Sequence, residues 1–195
     1  MRPSLLLLAG PNGAGKSTLY QTRVAPAFAG PFINADLIQR DELHDASMQA
    51  SYRAATIAED RRAQMLAAGR SFATETVFSH PSKLRIIEEA QARGYIVIVM
   101  HVGLDSADLA VARVKERREE GGHDVPEDKI RTRLDRGQPL IRTAVLRATR
   151  GMVFDNSKLN EPPRRVLVFS EGRLLEVDPS LPDWVLSVYG EDLAI

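Results

Sequence analysis

The sequence contains no cysteine, and aromatic residues make up only 6% of it. The absence of cysteine excludes disulfide-stapled scaffolds, thiolate catalysis, and zinc or iron–sulfur sites with cysteine ligands. The low aromatic content counts against a protein that binds single-stranded nucleic acid by stacking its bases. The chemistry of the chain must therefore be sought in other side chains.

The sequence also lacks an excess of either charge and lacks a long apolar run. Lys and Arg together number 26, as do Asp and Glu, so no global field attracts nucleic acid or an anionic membrane. The strongly apolar N-terminal run covers only residues 5–9, whereas a membrane span requires about 20. We expect a cytoplasmic protein that does not engage a membrane.

Apolar and polar segments alternate along the 195 residues, a length that fits one domain. The run at 5–9 is apolar throughout, which is typical of a parallel strand buried on both faces. Predicted strands are 5–9, 32–34, 71–77, 95–102, 151–154, 166–169 and 172–177, and predicted helices are 16–28, 45–68, 81–93, 106–119, 126–150 and 182–189. This alternation predicts an α/β three-layer domain with a mostly parallel central sheet, and it predicts a bend near Gly137 and Pro139.

The segment GPNGAGKST lies between the first strand and the first helix. It fits the P-loop pattern, in which glycines let backbone N–H groups point at phosphates. Lys16 is expected to reach the β- and γ-phosphates of ATP, and Ser17 to ligate Mg²⁺. The predicted nucleotide-binding residues are Gly10, Pro11, Asn12, Gly13, Ala14, Gly15, Lys16, Ser17 and Thr18.

The sequence of this loop is also typical of ABC-type transporter ATPases. An ABC domain would carry an LSGGQ-like signature and a strand ending in Asp-Glu, but here residues 97–102 lead into Gly103-Leu104-Asp105 and no signature occurs. A P-loop kinase of small substrates explains the sequence better.

Two carboxylates are candidates for the acceptor side of such a kinase. Asp36 lies 20 residues after Lys16 at the end of the second predicted strand, where ligands collect in parallel sheets. It could accept the proton of the acceptor hydroxyl, or it could merely cap a helix that begins at Leu37. Glu75 and Thr76, at the end of the third predicted strand, could hold the acceptor or a Mg²⁺-bound water, or could simply be polar residues at a strand end.

Basic residues are concentrated in residues 111–150, which contain 11 Lys and Arg against 7 Asp and Glu. Such a segment, within a helical lid at about 106–150, could close over a nucleotide and neutralise the transferred group. Arg113 and Arg117 share a helix face, and Arg131 and Arg133 follow the Gly121-Gly122 turn. The alternative for each arginine is a solvated surface position. His123 is a minor candidate.

The set GPNGAGKST, INAD, ATETVFS, RVKERREEGGHDVP and VFDNS resembles the zeta-toxin family of P-loop kinases over residues 5–157. The resemblance implies a P-loop kinase fold with a helical lid and an activity that phosphorylates UDP-N-acetylglucosamine with ATP and Mg²⁺. It implies Asp36 as general base, Glu75 and Thr76 as acceptor contacts, and Arg117 and Arg133 as lid arginines, with Arg113 and Arg131 as competitors. It also implies a small antitoxin partner. The chain is shorter than better-known members, which leaves less surface for a nucleotide-sugar.

Two other functions remain open from the sequence. One is a nucleotide-dependent switch whose slow hydrolysis gates a partner. The other is a kinase of nucleic-acid ends that uses the basic segment to bind phosphates, in which case binding should weaken steeply with salt. The favoured hypothesis is an ATP-dependent phosphotransferase that acts on a hydroxyl of a small metabolite.

Overall fold

The structure is a computed structural model that describes residues 2–78, 80–119 and 126–193, with residues 117–119 described by their backbone alone. Its strands are β1 (Ser4–Ala9), β2 (Phe32–Ile33), β3 (Phe72–Thr76), β4 (Ile96–Gly103), β5 (Arg150–Asp155), β6 (Arg164–Ser170) and β7 (Arg173–Val177). They form one sheet in the order β2-β3-β1-β4-β5-β6-β7. The first five strands pair in parallel, and β6 and β7 add to the sheet as antiparallel strands.

Seven α-helices connect and cover these strands in the described residues. They are α1 (Lys16–Leu19), α2 (Ala35–Ile38), α3 (Met48–Ala67), α4 (Arg85–Ala92), α5 (Ala107–Glu119), α6 (Glu127–Arg147) and α7 (Asp183–Leu193). Two π-helical segments, Tyr20–Val24 and Gln39–Leu43, continue α1 and α2, and a 3₁₀ turn, Pro81–Leu84, leads into α4. None of the described helices is long and apolar enough to cross a membrane.

The central strand β1 is buried on both faces, as its unbroken apolar run predicts. Leu5 and Leu7 point into a core shared with α3, α4, α6 and α7. Leu6 and Leu8 point into a second core shared with α1 and α5. Because successive side chains of a strand alternate between its faces, one leucine run supplies both cores. The three-layer α/β fold is therefore confirmed.

The predicted lid segment is tied to the sheet at both ends. Ala110 and Val114 of α5 are buried in one core, and Ile141 and Val145 of α6 in the other. The α6 helix runs as one element past Pro139. At Gly137 it passes so close to the segment after β3 that an added Cβ would lie 3.2 Å from the Val77 carbonyl oxygen.

Candidate active site

The loop between β1 and α1 has a conformation that requires glycine. Gly13 and Gly15 have φ angles of +77° and +87°, which side-chain-bearing residues rarely adopt. An added Cβ would lie 2.6 Å from the Ala110 carbonyl oxygen at Gly13, and 2.4 Å from Asn156 Nδ2 at Gly15. The loop thus needs small residues both for its backbone angles and for its close contacts with α5 and with the end of β5.

Lys16 begins α1 and is buried at the base of this loop. Its Nζ donates hydrogen bonds to the carbonyl oxygens of Gly10 and Pro11, both at 3.0 Å. These bonds hold the ammonium group inside the loop that the sequence predicts will surround phosphates. The loop therefore holds the positive charge of Lys16 through its own carbonyl groups, without a bound anion.

Ser17 of α1 contacts Glu75 of β3, the strand that pairs with β1. Leu8 pairs in register with Glu75, and the Ser17 hydroxyl donates to Glu75 Oε2 at 3.1 Å. A hydroxyl and a carboxylate side by side are hard oxygen ligands of the kind that Mg²⁺ prefers. The donor set therefore fits the predicted Mg²⁺, which Ser17 would ligate with Glu75 beside it.

Asp36 lies in the first turn of α2, with its side chain exposed in the cleft. The helix is capped by Asn34, whose Oδ1 accepts hydrogen bonds from the backbone N–H groups of Asp36 at 2.7 Å and Leu37 at 3.3 Å. The alternative prediction, in which the Asp36 carboxylate caps a helix from Leu37, is therefore wrong. Its carboxylate makes no hydrogen bond with the described residues, and it is available to a ligand.

The lid arginines separate into different environments. Arg133 lines the cleft, and its Nη1 donates to Asn12 Oδ1 of the P-loop at 3.3 Å. Arg131 instead forms ion pairs with Asp108 and Glu127 and does not line the cleft. Arg117 lies in α5, but its side chain falls outside the described residues.

His123 and the Gly121-Gly122 turn also fall outside the described residues. Of the two residues that compete for the role of lid arginine, only Arg113 lines the cleft.

Arg113 and Asn156 support the P-loop, a role that the sequence did not predict for either residue. Arg113 Nη1 donates to the Asn156 carbonyl oxygen at 2.8 Å, and Asn156 Nδ2 donates to the Ala14 carbonyl oxygen at 2.8 Å. Burial lowers the pKa of the Arg113 guanidinium, and the charges of Glu116 and Asp155 oppose that shift. The signal in the sequence was the position of Asn156 directly after an apolar strand, where ligand-facing residues collect.

Most of these groups border one cleft of about 890 Å³. It runs from the P-loop, past the carboxyl ends of β1 and β3, to the side of α3. The predicted residues that line it are Asn12, Gly13, Gly15, Lys16, Ser17, Thr18, Asp36, Glu75, Thr76 and Arg133. Gly10, Pro11 and Ala14 are buried behind them in the loop.

The sequence profile of the zeta toxin family matches residues 1–158, most of the chain. The chain belongs to the zeta toxin family. Members of this family are P-loop kinases, so the protein described here is a phosphotransferase. A comparison with curated protein sequences finds no match.

Three solved structures are similar in fold to this protein. The PezAT toxin–antitoxin system of Streptococcus pneumoniae matches with a TM-score of 0.58 and 15% identity, over 80% of this chain and 69% of that one. The AvrRxo1-ORF1:-ORF2 complex with ATP matches with a TM-score of 0.70 and 14% identity, over 100% of this chain and 65% of that one. Shikimate kinase from Acinetobacter baumannii matches with a TM-score of 0.51 and 16% identity, over 82% of this chain and 86% of that one. The chain therefore spans about two thirds of the length of the chain that it matches in the AvrRxo1-ORF1:-ORF2 complex.

Proposed function

We propose that this kinase transfers the γ-phosphoryl group of ATP to a hydroxyl group of a small metabolite, with a nucleotide-sugar as the leading acceptor. The observation that carries the proposal is the convergence of Lys16, Ser17, Asp36, Glu75 and Arg133 on one cleft. A P-loop alone would serve a switch protein equally well. A carboxylate that makes no hydrogen bond with the described residues, in the same cleft as that loop, is what an acceptor hydroxyl requires.

In the proposed reaction the acceptor oxygen forms a bond to the γ-phosphorus, and the bond from that phosphorus to the β–γ bridging oxygen breaks. Asp36 takes the proton of the acceptor hydroxyl. Lys16 and Arg133 stabilise the negative charge on the transferred group, and ADP leaves with the bridging oxygen. Mg²⁺, held by Ser17 and adjacent to Glu75, would offset the charge of the β- and γ-phosphates.

A nucleotide-sugar is favoured because the family resemblance implies it and because the cleft is large. A volume of about 890 Å³ lies within the range of sites that enclose sizeable ligands. A protein partner of the antitoxin kind is also part of the proposal, since PezAT is a toxin–antitoxin system. Co-purification of the full chain with the product of an adjacent reading frame, followed by loss of kinase activity in the complex, would support that partner. Full activity in such a complex would contradict it.

The deciding experiment is mass spectrometry of a metabolite extract incubated with the protein, Mg²⁺ and ATP. The ATP carries ¹⁸O in its γ-phosphoryl group. The mass of a true acceptor therefore increases by the mass of an ¹⁸O-labelled phosphoryl group. The Asp36→Asn variant serves as the control and should produce no such species. If only ADP and labelled inorganic phosphate form, the transfer proposal fails and a hydrolysing switch becomes the better account.

A further inference from the structure

A buried carboxylate near the P-loop takes no part in the proposed transfer. Asp155, the last residue of β5, is only 8% exposed. Its Oδ1 atom accepts hydrogen bonds from the Trp184 indole N–H at 2.9 Å, from the Ser157 hydroxyl at 2.6 Å and from the Ser157 backbone N–H at 3.3 Å. The indole donor comes from α7, 29 positions further along the chain. Because a buried carboxylate is costly unless donors satisfy it, these bonds restrict where Asp155 can lie.

The residue that follows Asp155 connects it to the P-loop. The backbone N–H of Asn156 donates to the Gly103 carbonyl oxygen at 3.0 Å, and its own carbonyl oxygen accepts from Arg113 at 2.8 Å. The Asn156 side chain donates to the Ala14 carbonyl oxygen of the P-loop, also at 2.8 Å. A displacement of Asp155 would therefore displace the hydrogen-bond donor that holds the loop.

Trp184 covers the strand ends from which this connection begins. The indole is 6% exposed, and an added Cβ at Gly103 would lie 2.3 Å from its six-membered ring. Gly103 and Asp155 are partners in the parallel pairing of β4 with β5. The indole thus packs on the end of one strand and donates a hydrogen bond to the end of the next.

The α7 helix that carries this indole is firmly attached to the rest of the fold. Val185 and Tyr189 are fully buried, and Arg142 of α6 donates to the two carboxylate oxygens of Asp192 at 2.7 Å and 2.8 Å. The family profile ends at residue 158, whereas α7 begins at Asp183. A helix beyond the family match therefore reaches, through two residues, the loop that lies within it.

We propose that Trp184 is a positioning residue for ATP. Its indole N–H fixes the Asp155 carboxylate, and Asp155 thereby holds Asn156 where it supports the P-loop. The inference rests on the proposed function, because it requires the P-loop to bind the phosphates of ATP. Trp184 does not line the cleft, so its effect passes through the residues between. A loop that is already ordered loses less conformational entropy when it binds a ligand.

Nucleotide binding tests the proposal without any turnover. The full chain with Mg²⁺ is titrated with the β,γ-imido analogue of ATP by calorimetry. Trp184→Phe should weaken binding about fivefold or more, since the loop loses part of its support. Tyr189→Phe is the matched control, because it removes from the same helix a hydroxyl that lies 2.7 Å from His101 Nδ1, and its affinity should stay within about twofold of wild type. Wild-type affinity in Trp184→Phe, or an equal loss in Tyr189→Phe, would overturn the proposal.

A second replacement separates the role of the N–H from that of the ring. Trp184 is the single tryptophan of the chain, so its replacement by benzothienylalanine, in which sulfur takes the place of the N–H, changes this residue alone. The ring keeps its size against Gly103, and only the donor is lost. The affinity for the ATP analogue should again fall about fivefold or more. Wild-type affinity would assign any loss in Trp184→Phe to packing and would overturn the proposal, whether or not Trp184→Phe folds.

A comparison of single and double variants tests the route from Trp184 to the loop. Asn156→Ala should also weaken binding of the ATP analogue. Because both substitutions act on one path, the double variant Trp184→Phe/Asn156→Ala should bind within about twofold of Asn156→Ala alone. Losses that multiply in the double variant would show that Trp184 acts independently of Asn156, against the proposal. If the wild type binds the analogue but phosphorylates no acceptor with ATP, the transfer function fails, while these affinities still decide the role of Trp184.

Discussion

The hydroxyl of Ser17 donates a hydrogen bond to Oε2 of Glu75 at 3.1 Å. This bond joins the first helical turn after the P-loop to the carboxyl end of β3. Two sequence motifs that lie 58 positions apart thus meet at the place where a metal ion would have to bind.

Replacement of Glu75 by Gln keeps the shape of the side chain but removes its negative charge. We expect the Mg²⁺ concentration at half-maximal activity to rise about tenfold and kcat to fall, since the metal loses a neighbouring carboxylate. Activity titrated with Mg²⁺ at fixed ATP measures this. Glu161→Gln, at the exposed rim of the same cleft, is the matched control. An unchanged Mg²⁺ dependence in Glu75→Gln would remove Glu75 from the metal site.

Asp36→Asn should reduce phosphoryl transfer at least about 100-fold and leave the affinity for ATP unchanged, because only the proton acceptor is lost. The backbone should tolerate the change, since Asn34 and not Asp36 caps α2. Single-turnover assays and nucleotide titrations separate the two quantities. Asp41→Asn, an exposed carboxylate paired with Arg40, should behave as wild type. Full transfer by Asp36→Asn would exclude Asp36 as the base.

Arg133→Ala and Arg131→Ala form a matched pair on one helix. Arg133 lines the cleft and contacts Asn12, so we expect its loss to lower kcat about 100-fold. Arg131 is paired with Asp108 and Glu127, so we expect less than about a threefold change. Steady-state kinetics of both variants test this, and the reverse ranking would contradict the assignment of Arg133.

Gly103→Ala should destabilise the fold. An added Cβ would lie 2.3 Å from the Trp184 ring, so the helix α7 would have to shift. We expect the free energy of unfolding to fall by about 1–3 kcal/mol. Gly190→Ala, in α7 with no atom within 4 Å of an added Cβ, should raise it by up to about 1 kcal/mol. Urea unfolding measures the free energy of unfolding of both variants. A Gly103→Ala variant as stable as wild type would show that the Trp184 ring can move aside without a loss of stability.

The His101 side chain should make the free energy of unfolding depend on pH. It is fully enclosed, its Nδ1 lies 2.7 Å from the Tyr189 hydroxyl, and burial lowers its pKa to about 3. An unfolded histidine has a pKa of about 6.5, so between these values only the unfolded chain binds the proton, and a lower pH favours unfolding.

This single histidine should cost on the order of 2 kcal/mol of the free energy of unfolding between pH 7 and pH 5. Urea unfolding at both pH values should show a smaller loss in His101→Gln. His44→Asn should match wild type, because His44 is exposed and its φ of 50° suits asparagine. An equal loss in wild type and His101→Gln would contradict the assignment of a neutral buried histidine.

The P-loop and the three-layer fold could be predicted because they depend on local patterns. Glycines before Lys16 and an apolar run at Leu5 to Ala9 encode a loop and a doubly buried strand without reference to the rest of the chain. The helix predicted at 16–28 is shorter, since α1 gives way to the π-helical segment Tyr20–Val24. Tyr20 stacks on Phe32 at 3.8 Å, a contact across 12 positions that helical periodicity does not contain.

The environments of the arginines could not be predicted from the sequence, because they depend on which face of each helix meets the cleft. Arg131 and Arg133 are two positions apart, so they point in different directions, and only the packing of α6 distinguishes them. Arg61 and Arg62 are adjacent and chemically identical, yet among the described residues only Arg61 donates hydrogen bonds to a carboxylate. The cap at Asn34 likewise required the backbone of α2, since Asn34 and Asp36 are both good capping residues.

The hydrogen bond from Asn156 to the Ala14 carbonyl spans 142 positions. A growing polypeptide emerges from the ribosome from its N-terminus, so the P-loop is synthesised long before the asparagine that supports it. The nucleotide loop lacks this support until translation has passed β5. A chain released early would carry the complete GPNGAGKST segment without the hydrogen bond from Asn156 to Ala14.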